Sequence, residues 1–554
     1  MNIGIDIPIL LDKSRAFVVD IETDEAHGFV GAAFCQGEDS LFYSTKKESL
    51  DLCVGARLIV HGGKFDIREM KSWGLNVSYD NIHDDTQILA YVQDSTQKSY
   101  GLKKTAERLL NMKWATYEEM TGKGKKKRTL DKLPVEDVAR YCGCDALATW
   151  KLRKLLYDQM ADKQTRFYDK IELPTYKLLS EMEDLGVHID PVYLRELDKT
   201  IGERVRGAES RLKEWGDFNP RSPKQVLAVF QDQGIKLKST DEKTLKALGN
   251  RLANTLLEYR EFKKLHSTYI TPYMDMGSGG VIHARFTQST ETGRLASSQP
   301  NLQNVPNTEE GRKIRKLFVP PEGHRLLLLD YSQIETRLFA HFSKDPILLE
   351  VFKDNRDIHS EMAKRAGLDP VKERAIGKTL VHGITYGSSP KMVSDTAGMS
   401  MGRATNIFKA FWKELRTGGN WIAAQKVRAH QYRGVETLLG RWRSFCSLRE
   451  LKCLHRFTWR CKKCRQKAHV EREVISTIIQ GSASDIMKKA MLDCKEAGYM
   501  PRLTVHDELH FYVHEDDDLD AVFFAIKKLM EQTVSLSVPL VVEGKYVDSW
   551  MEGK

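Results

Sequence analysis

Asp20 and Glu22 stand two residues apart in the apolar run AFVVDIET, a spacing that on a β-strand turns both carboxylates to one face. Asp66 closes a second apolar run, LIVHGGKFD. Tyr141 and Asp145 lie four apart in a segment of helical period, hence side by side on one helix face. Three carboxylates converging from separate strands, with a fourth from a helix, make a hard oxygen donor set suited to two divalent cations about 4 Å apart. One ion would turn water into a nucleophile, and the other would stabilise the leaving oxygen of a phosphodiester. Tyr141 could orient that water. Any one of these acids alone reads as a solvated surface residue; the chemistry lies in the set.

A second constellation occupies the other half. HRLLLLDYSQIE reads as a buried strand presenting Asp330 at its end, and MPRLTVHDELHFYV reads as a hairpin turning at His506 and Asp507. Two carboxylates brought together on one sheet could hold two Mg²⁺ ions for in-line phosphoryl transfer. Between them, in RAIGKTLVHGITYG, Arg374, Lys378, His382 and Tyr386 recur every four residues and form one stripe on a helix. Two cations at one end suit a triphosphate and an aromatic at the other suits stacking on a base. A solvated basic helix face is the competing interpretation.

The elements that must carry these residues follow from periodicity. Residues 1–150 alternate apolar runs with helical segments such as 86–95 and 133–155, a mixed α/β pattern. From about 156 to 275 the pattern is helical, and 344–430 is helical again. Strands at both ends of this second helical stretch predict one sheet interrupted by a helical insertion. At 554 residues, three or four domains are expected. With 41% apolar and 29% charged residues the composition is that of a globular chain, not a disordered one. No apolar run reaches the roughly 18–20 residues that span a bilayer, and the N-terminus lacks a secretory core. The nine cysteines suit a reducing compartment, so a cytoplasmic protein without membrane contact is expected. The net charge of +10 is uneven: residues 1–150 carry −3 and the remainder +13, which suggests a polyanionic partner held mainly by the larger part.

DIE at 20–22, KFD at 64–66 and YCGCD at 141–145 resemble the three motifs of DnaQ-like 3′–5′ exonucleases, and YEEMTGKGKKKRTLDKLPVEDVARYCGCDALAT is especially similar. DYSQIETR at 330–337, RAIGKTLVHGITYG at 374–387 and VHDE at 505–508 resemble motifs A, B and C of family A DNA polymerases. TGRLASSQPNLQNVP, QGSASDIMKKAM and NPRSPKQVL resemble further segments of that family, and the likeness runs from about residue 16 to the end. The resemblance implies a multidomain α/β protein: an RNase H-like exonuclease domain (1–155), then a right hand of thumb (156–285), palm (286–345), fingers (346–435) and palm again (436–554). It implies template-directed DNA synthesis with proofreading, in which primer–template DNA and dNTPs are the partners. Replisome proteins are expected as further partners, the chain as a monomer, and a phage host's cytoplasm as its location. A single-subunit RNA polymerase shares the three polymerase motifs, but Glu335 and the exonuclease motifs argue against it.

The roles implied by the resemblance fall on named positions. Asp330 and Asp507, with the Tyr331 backbone carbonyl, would ligate two Mg²⁺ ions, for which Mn²⁺ can substitute, and Glu508 would contribute more weakly. Asp20, Glu22, Asp66 and Asp145 would hold a second pair. Arg374 and Lys378 would grip the triphosphate, Lys378 also protonating the leaving pyrophosphate. Gln333, His382 and Tyr386 would complete the dNTP site, and Glu335 would block a ribose 2′-hydroxyl. Arg294, Asn304, Gln480 and His506 would meet the primer–template, sensing minor-groove acceptors common to all pairs. Two positions depart from the family pattern: Gly62, where an Asn is usual, so altered single-strand contacts are expected, and His382, where Phe or Tyr is usual.

No 5′-nuclease segment precedes the exonuclease motifs, so nick translation is not expected. The chain also adds something. Residues 441–472 hold 11 basic and 2 acidic side chains, and the Cys/His-rich insertion at about 444–470 is longer than the family's linker. Cys461 and Cys464 form a CxxC half-site that Cys453 and His455 could complete as one structural Zn²⁺ site; reduced, unligated cysteines are the alternative. Either way the charge points to phosphate contact.

Overall fold

The computed structural model describes residues 3–124, 127–277, 279–386, 389–445 and 462–553. The front of the chain is built on six strands, β1 (Gly4–Ile5), β2 (Phe17–Thr23), β3 (Phe29–Gly37), β4 (Ser40–Ser44), β5 (Leu58–Val60) and β6 (Ile82–Asp85). Their order is β1-β4-β3-β2-β5-β6, so β2, which carries Asp20 and Glu22, is central. It pairs antiparallel with β3 and parallel with β5. Alternation along β2 sorts its side chains: Phe17, Val19 and Ile21 enter one core. Val18 enters a second core on the opposite face, with Ala33, Val138 and Cys142. Asp20 and Glu22 share the face of Val18.

Helices α1 (Lys64–Ser72), α2 (Leu102–Leu110) and α3 (Val135–Gln159) pack around this sheet. α3 starts behind Pro134 with Glu136 and Asp137 in its first turn, where acids meet the positive end of the helix dipole. Its early turns bring Val138, Tyr141, Cys142 and Ala146 onto the face of β2 that bears the acids. Asp66, expected at a strand end, sits instead in the first turn of α1. β5 stops at Val60, and Gly62 (φ +74°) and Gly63 turn the chain, both donating N–H groups to Asp85 Oδ2 at 3.0 Å. The acids therefore converge from one strand and two helices, not from separate strands.

The next stretch is helical as its periodicity predicts, with α4 (Leu173–Leu185), α5 (Pro191–Leu212) and α6 (Arg251–Leu265). The second sheet follows, with β7 (His324–Tyr331), β8 (Pro501–Val505), β9 (Glu508–His514) and β10 (Val542–Val547) in the order β8-β9-β7-β10, all antiparallel. Leu326 to Leu329 are all at most 3% exposed, so β7 is buried on both faces, which is why its sequence is continuous rather than alternating. The helices inserted between β7 and β8 include α7 (Ile334–Ser343), α8 (Arg374–Tyr386), α9 (Arg416–Tyr432) and α10 (Lys462–Glu496). No helix among the described residues is long and apolar enough to cross a membrane.

A buried polar joint ties the front of the chain to the second sheet's helices. Glu172 and Lys488 are both fully buried and pair at 2.6 Å, and Gln288 Nε2 donates to the Glu172 backbone carbonyl at 2.8 Å. The buried Arg441 donates to the Thr292 carbonyl and faces Asp485 at 3.6 Å. Tyr91, on the front sheet's side, donates to the Thr290 carbonyl at 2.9 Å. Lys488→Met leaves the Glu172 charge buried without its partner, so unfolding by denaturant is expected to show a loss of about 3–5 kcal/mol. The double variant Glu172→Leu, Lys488→Met should lose less than the single one.

Candidate active sites

At the front site the acids are crowded, with Asp66 and Asp145 buried and Asp20 and Glu22 half-buried. Carboxylate oxygens of Asp20 and Glu22 and the Cys142 sulfur lie within 4.8 Å of one another. Asp66 accepts from the Ile21 N–H at 3.3 Å, which ties α1 to β2. Asp145 Oδ1 accepts from Lys103 Nζ at 2.9 Å and from the Trp114 indole N–H at 2.8 Å. Burial, then repulsion from Asp145, Glu22 and Asp66, raises the Asp20 carboxyl well above its ordinary range. Burial and the neighbouring Asp145 push Glu22 up to about 8. Burial outweighs the Ile21 hydrogen bond and takes Asp66 to about 7, and burial also raises Asp145 against the pull of Lys103. Buried carboxylates that destabilise one another's charge are the donor set a hard divalent cation would relieve. The Cys142 thiol is not such a donor: burial and Asp20 keep it protonated, and it donates to Asp20 Oδ2 at 3.2 Å.

The second site lies at one end of the other sheet. Asp330, next to last in β7, sits opposite Glu508 of β9 and Glu543 of β10. The two-residue turn His506–Asp507 joins β8 to β9, with His506 at φ +56°. The Tyr331 N–H donates to the Asp507 carbonyl at 3.0 Å, bringing that turn against the end of β7. Asp507 lines a cleft with Arg294, Gln303, Ser484 and His506. Glu508 turns elsewhere: His510 Nε2 lies 2.6 Å and the Trp550 indole N–H 3.2 Å from its Oε1. Burial opposes its ionisation, but these hydrogen bonds prevail and hold the carboxyl below its ordinary range.

α8 packs against α7 and α10 and exposes Arg374, Lys378 and His382 on one face. Arg374 is engaged by Asp357, Nε to Oδ2 at 2.7 Å and Nη2 to Oδ1 at 3.1 Å, and holds that carboxyl well below the usual range. The His382 ring stacks on His359 with centroids 6.2 Å apart. Burial pushes the His359 imidazole down to about 4. Glu335, in the first turn of α7, pairs with Arg294 Nη2 at 2.6 Å.

Residues 191–552 match the sequence model of DNA polymerase family A, and residues 55–161 match that of a 3′–5′ exonuclease. The chain belongs to DNA polymerase family A. Among similar proteins, DNA polymerase I of Synechocystis is 32% identical over 532 residues, covering 90% of this chain and 53% of the relative. That of Pseudomonas aeruginosa is 30% identical over 561 residues (95% and 60%), and the thermostable enzyme of Thermus aquaticus 35% over 415 residues (70% and 48%). The chain thus spans about half the length of the curated relatives it matches. The POL domain of Pol1 from M. smegmatis, solved in complex with DNA primer-template and dNTP, superimposes with a TM-score of 0.81 at 27% identity, over 97% of this chain and 96% of that one.

In this family A chain the expected residues fall into three groups: the front carboxylates, the end of the second sheet, and the exposed face of α8 with Arg374, Lys378 and His382. Asp20, Glu22, Asp66, Tyr141 and Asp145 come together at the front, and Asp330, Tyr331, Asp507, Glu508, Arg294 and His506 at the second sheet. Gln333 precedes α7 at φ +55°, its side-chain carbonyl buried with no hydrogen-bond partner among the described residues. Gln480 is buried on α10, while Asn304 is exposed with its backbone carbonyl accepting from Tyr269. Tyr386 ends α8. Its side chain, with Cys453, His455, Cys461 and the Cys464 side chain of the zinc expectation, lies outside the described residues. Sequence reasoning missed Lys103 and Trp114 around Asp145, and Asp357 against Arg374. None of the three belongs to a motif or a periodic stripe, so nothing local marked them.

The front-site carboxyls carry a pH signature. Glu22 rises from 4.5 to about 8 and Asp66 from 3.8 to about 7, so the folded chain binds more protons than the unfolded chain between these limits. Stability without metal must therefore fall as pH rises from about 4 to 8. Thermal unfolding in EDTA should show a lower midpoint at pH 8.5 than at pH 5.5. Adding Mg²⁺ at pH 8.5 should recover it, and Glu22→Gln should flatten the dependence.

Proposed function

We propose that this chain is a DNA-directed DNA polymerase that extends a primer from dNTPs and trims mismatched 3′ ends at a separate site, in DNA replication. The observation that carries this reading is the meeting of Asp330 and Asp507 at one end of the second sheet, in a chain whose front holds an independent carboxylate set. The proposed division is exonuclease (1–155), thumb (156–285), palm (286–345 and 436–554) and fingers (346–435).

Divalent cations, Mg²⁺ or Mn²⁺, two at each site, would be held by Asp330, Asp507 and the Tyr331 carbonyl and by Asp20, Glu22, Asp66 and Asp145. They would supply charge stabilisation at the reacting phosphate and its leaving oxygen. The chain's own groups do the rest. Lys378 neutralises the triphosphate and hands a proton to the departing pyrophosphate, while Arg374 exchanges its Asp357 partner for phosphate oxygens. Glu335, in the first turn of α7, excludes a ribose 2′-hydroxyl, and Gln333, His382 and Tyr386 bound the incoming nucleotide. Arg294, Asn304, Gln480 and His506 follow the primer–template. At the front, Tyr141 orients the attacking water. The chain works as a monomer, with replisome proteins as further partners.

Primer extension on a 5′-labelled primer–template with Mg²⁺ tests both halves. Growth with dNTPs and shortening without them is expected. Asp330→Asn should cut growth by at least about 10²–10³-fold and leave shortening, and Asp20→Asn should do the reverse. Shortening under both conditions in the parent would mean that the polymerase half only binds DNA. The basic insertion carries a structural Zn²⁺ on Cys453, His455, Cys461 and Cys464 in this reading. One equivalent of zinc should survive dialysis, and substoichiometric zinc would remove that part of it.

A further inference from the structure

Lys103 is the one cation that hydrogen-bonds into the front carboxylate cluster among the described residues. It stands at the second position of α2, three-quarters shielded from solvent. Its amino group lies 2.9 and 3.3 Å from the two carboxylate oxygens of Asp145, so it engages both. It also sits 4.1 Å from the Tyr141 ring centroid and 4.7 Å from that of Trp114, whose own N–H donates to Asp145 Oδ1. Two aromatic faces and one carboxylate thus grip a single ammonium. The contacts join the acid and the tyrosine of the same α3 face through a residue of another helix.

We propose that Lys103 is a positioning residue of the front site: it fixes the Asp145 carboxylate and the Tyr141 ring relative to each other, and weakens divalent-cation binding where Asp145 contributes. This rests on the reading that the front carboxylates hold divalent cations. The physical ground is charge. An ammonium on both Asp145 oxygens already neutralises part of that donor, and a divalent ion sharing the carboxylate must approach a fixed like charge. The ammonium cannot simply withdraw, because the two rings hold it in place. Lys103 thereby gives up metal affinity in return for orientation.

Mn²⁺ binding followed by electron paramagnetic resonance tests this, in the full chain carrying Asp330→Asn and Asp507→Asn so that the signal reports the front site. Lys103→Met should bind Mn²⁺ on the order of tenfold more tightly. Single-turnover shortening of a labelled strand at saturating Mn²⁺ should slow by roughly tenfold, as for loss of a group that orients a ligand. Lys103→Arg, which keeps the charge, should return the isotherm toward that of the parent. Trp114→Phe keeps a ring but not the N–H and should leave the affinity within about twofold of the parent, since the charge remains. A Lys103→Met isotherm that superimposes on the parent's overturns the proposal, whatever happens to the rate. If Asp20→Asn abolishes binding in the parent while Lys103→Met changes nothing, the metal reading stands and this proposal alone fails. If neither parent nor variant binds Mn²⁺, both fall.

Discussion

Four carboxylates crowded together, two buried and two half-buried, repel each other, and the front of the chain is arranged around that repulsion. Strand alternation puts Asp20 and Glu22 on the face of β2 that α3 covers, and α3 brings Tyr141, Cys142 and Asp145 to the same face. A glycine turn swings Asp66 in on the first turn of α1. Burial alone disfavours each charge, and proximity compounds it. The surrounding groups partly compensate: Lys103 and Trp114 serve Asp145, the Ile21 N–H serves Asp66, and Cys142 serves Asp20.

The second sheet handles charge differently. Its acids stand at a strand end and in a hairpin turn, beside a cleft that also exposes Arg294 and His506. Cations there already have partners, Arg294 on Glu335 and Arg374 on Asp357. These pairs are partly exposed, and solvent screening weakens ion pairs in proportion to that exposure. The second site thus pairs its cations with acids, whereas the front site crowds acids together with Lys103 as the one cation hydrogen-bonded to them among the described residues.

Between the sites runs the buried joint of Glu172, Lys488, Gln288, Arg441 and Asp485. Pairing at full burial sets a strict geometry, since a charge shifted off its partner has no water to turn to. The loop that Arg441 and Tyr91 hold through the carbonyls of Thr290 and Thr292 also carries Arg294. The same contacts that fasten the front unit therefore set the position of a cation in the cleft of the second site.

Much of this was legible in the sequence, because it depends on local period. Alternation put Asp20 and Glu22 on one face, four-residue spacing put Tyr141 with Asp145, and the run of leucines before Asp330 announced a buried strand. The VHDE hairpin and the helical insertion between the strands of one sheet were equally local. What the tertiary structure alone decided involves partners distant in the chain or a change of element at a turn. Asp66 moved from strand to helix because Gly62 and Gly63 bend the chain toward Asp85, 22 to 23 residues away. Lys103 met Asp145 across 42 residues, and Glu172 met Lys488 across 316. Period determines which way a side chain points; only the packed fold determines what stands in front of it, and for buried charges that neighbour sets the chemistry.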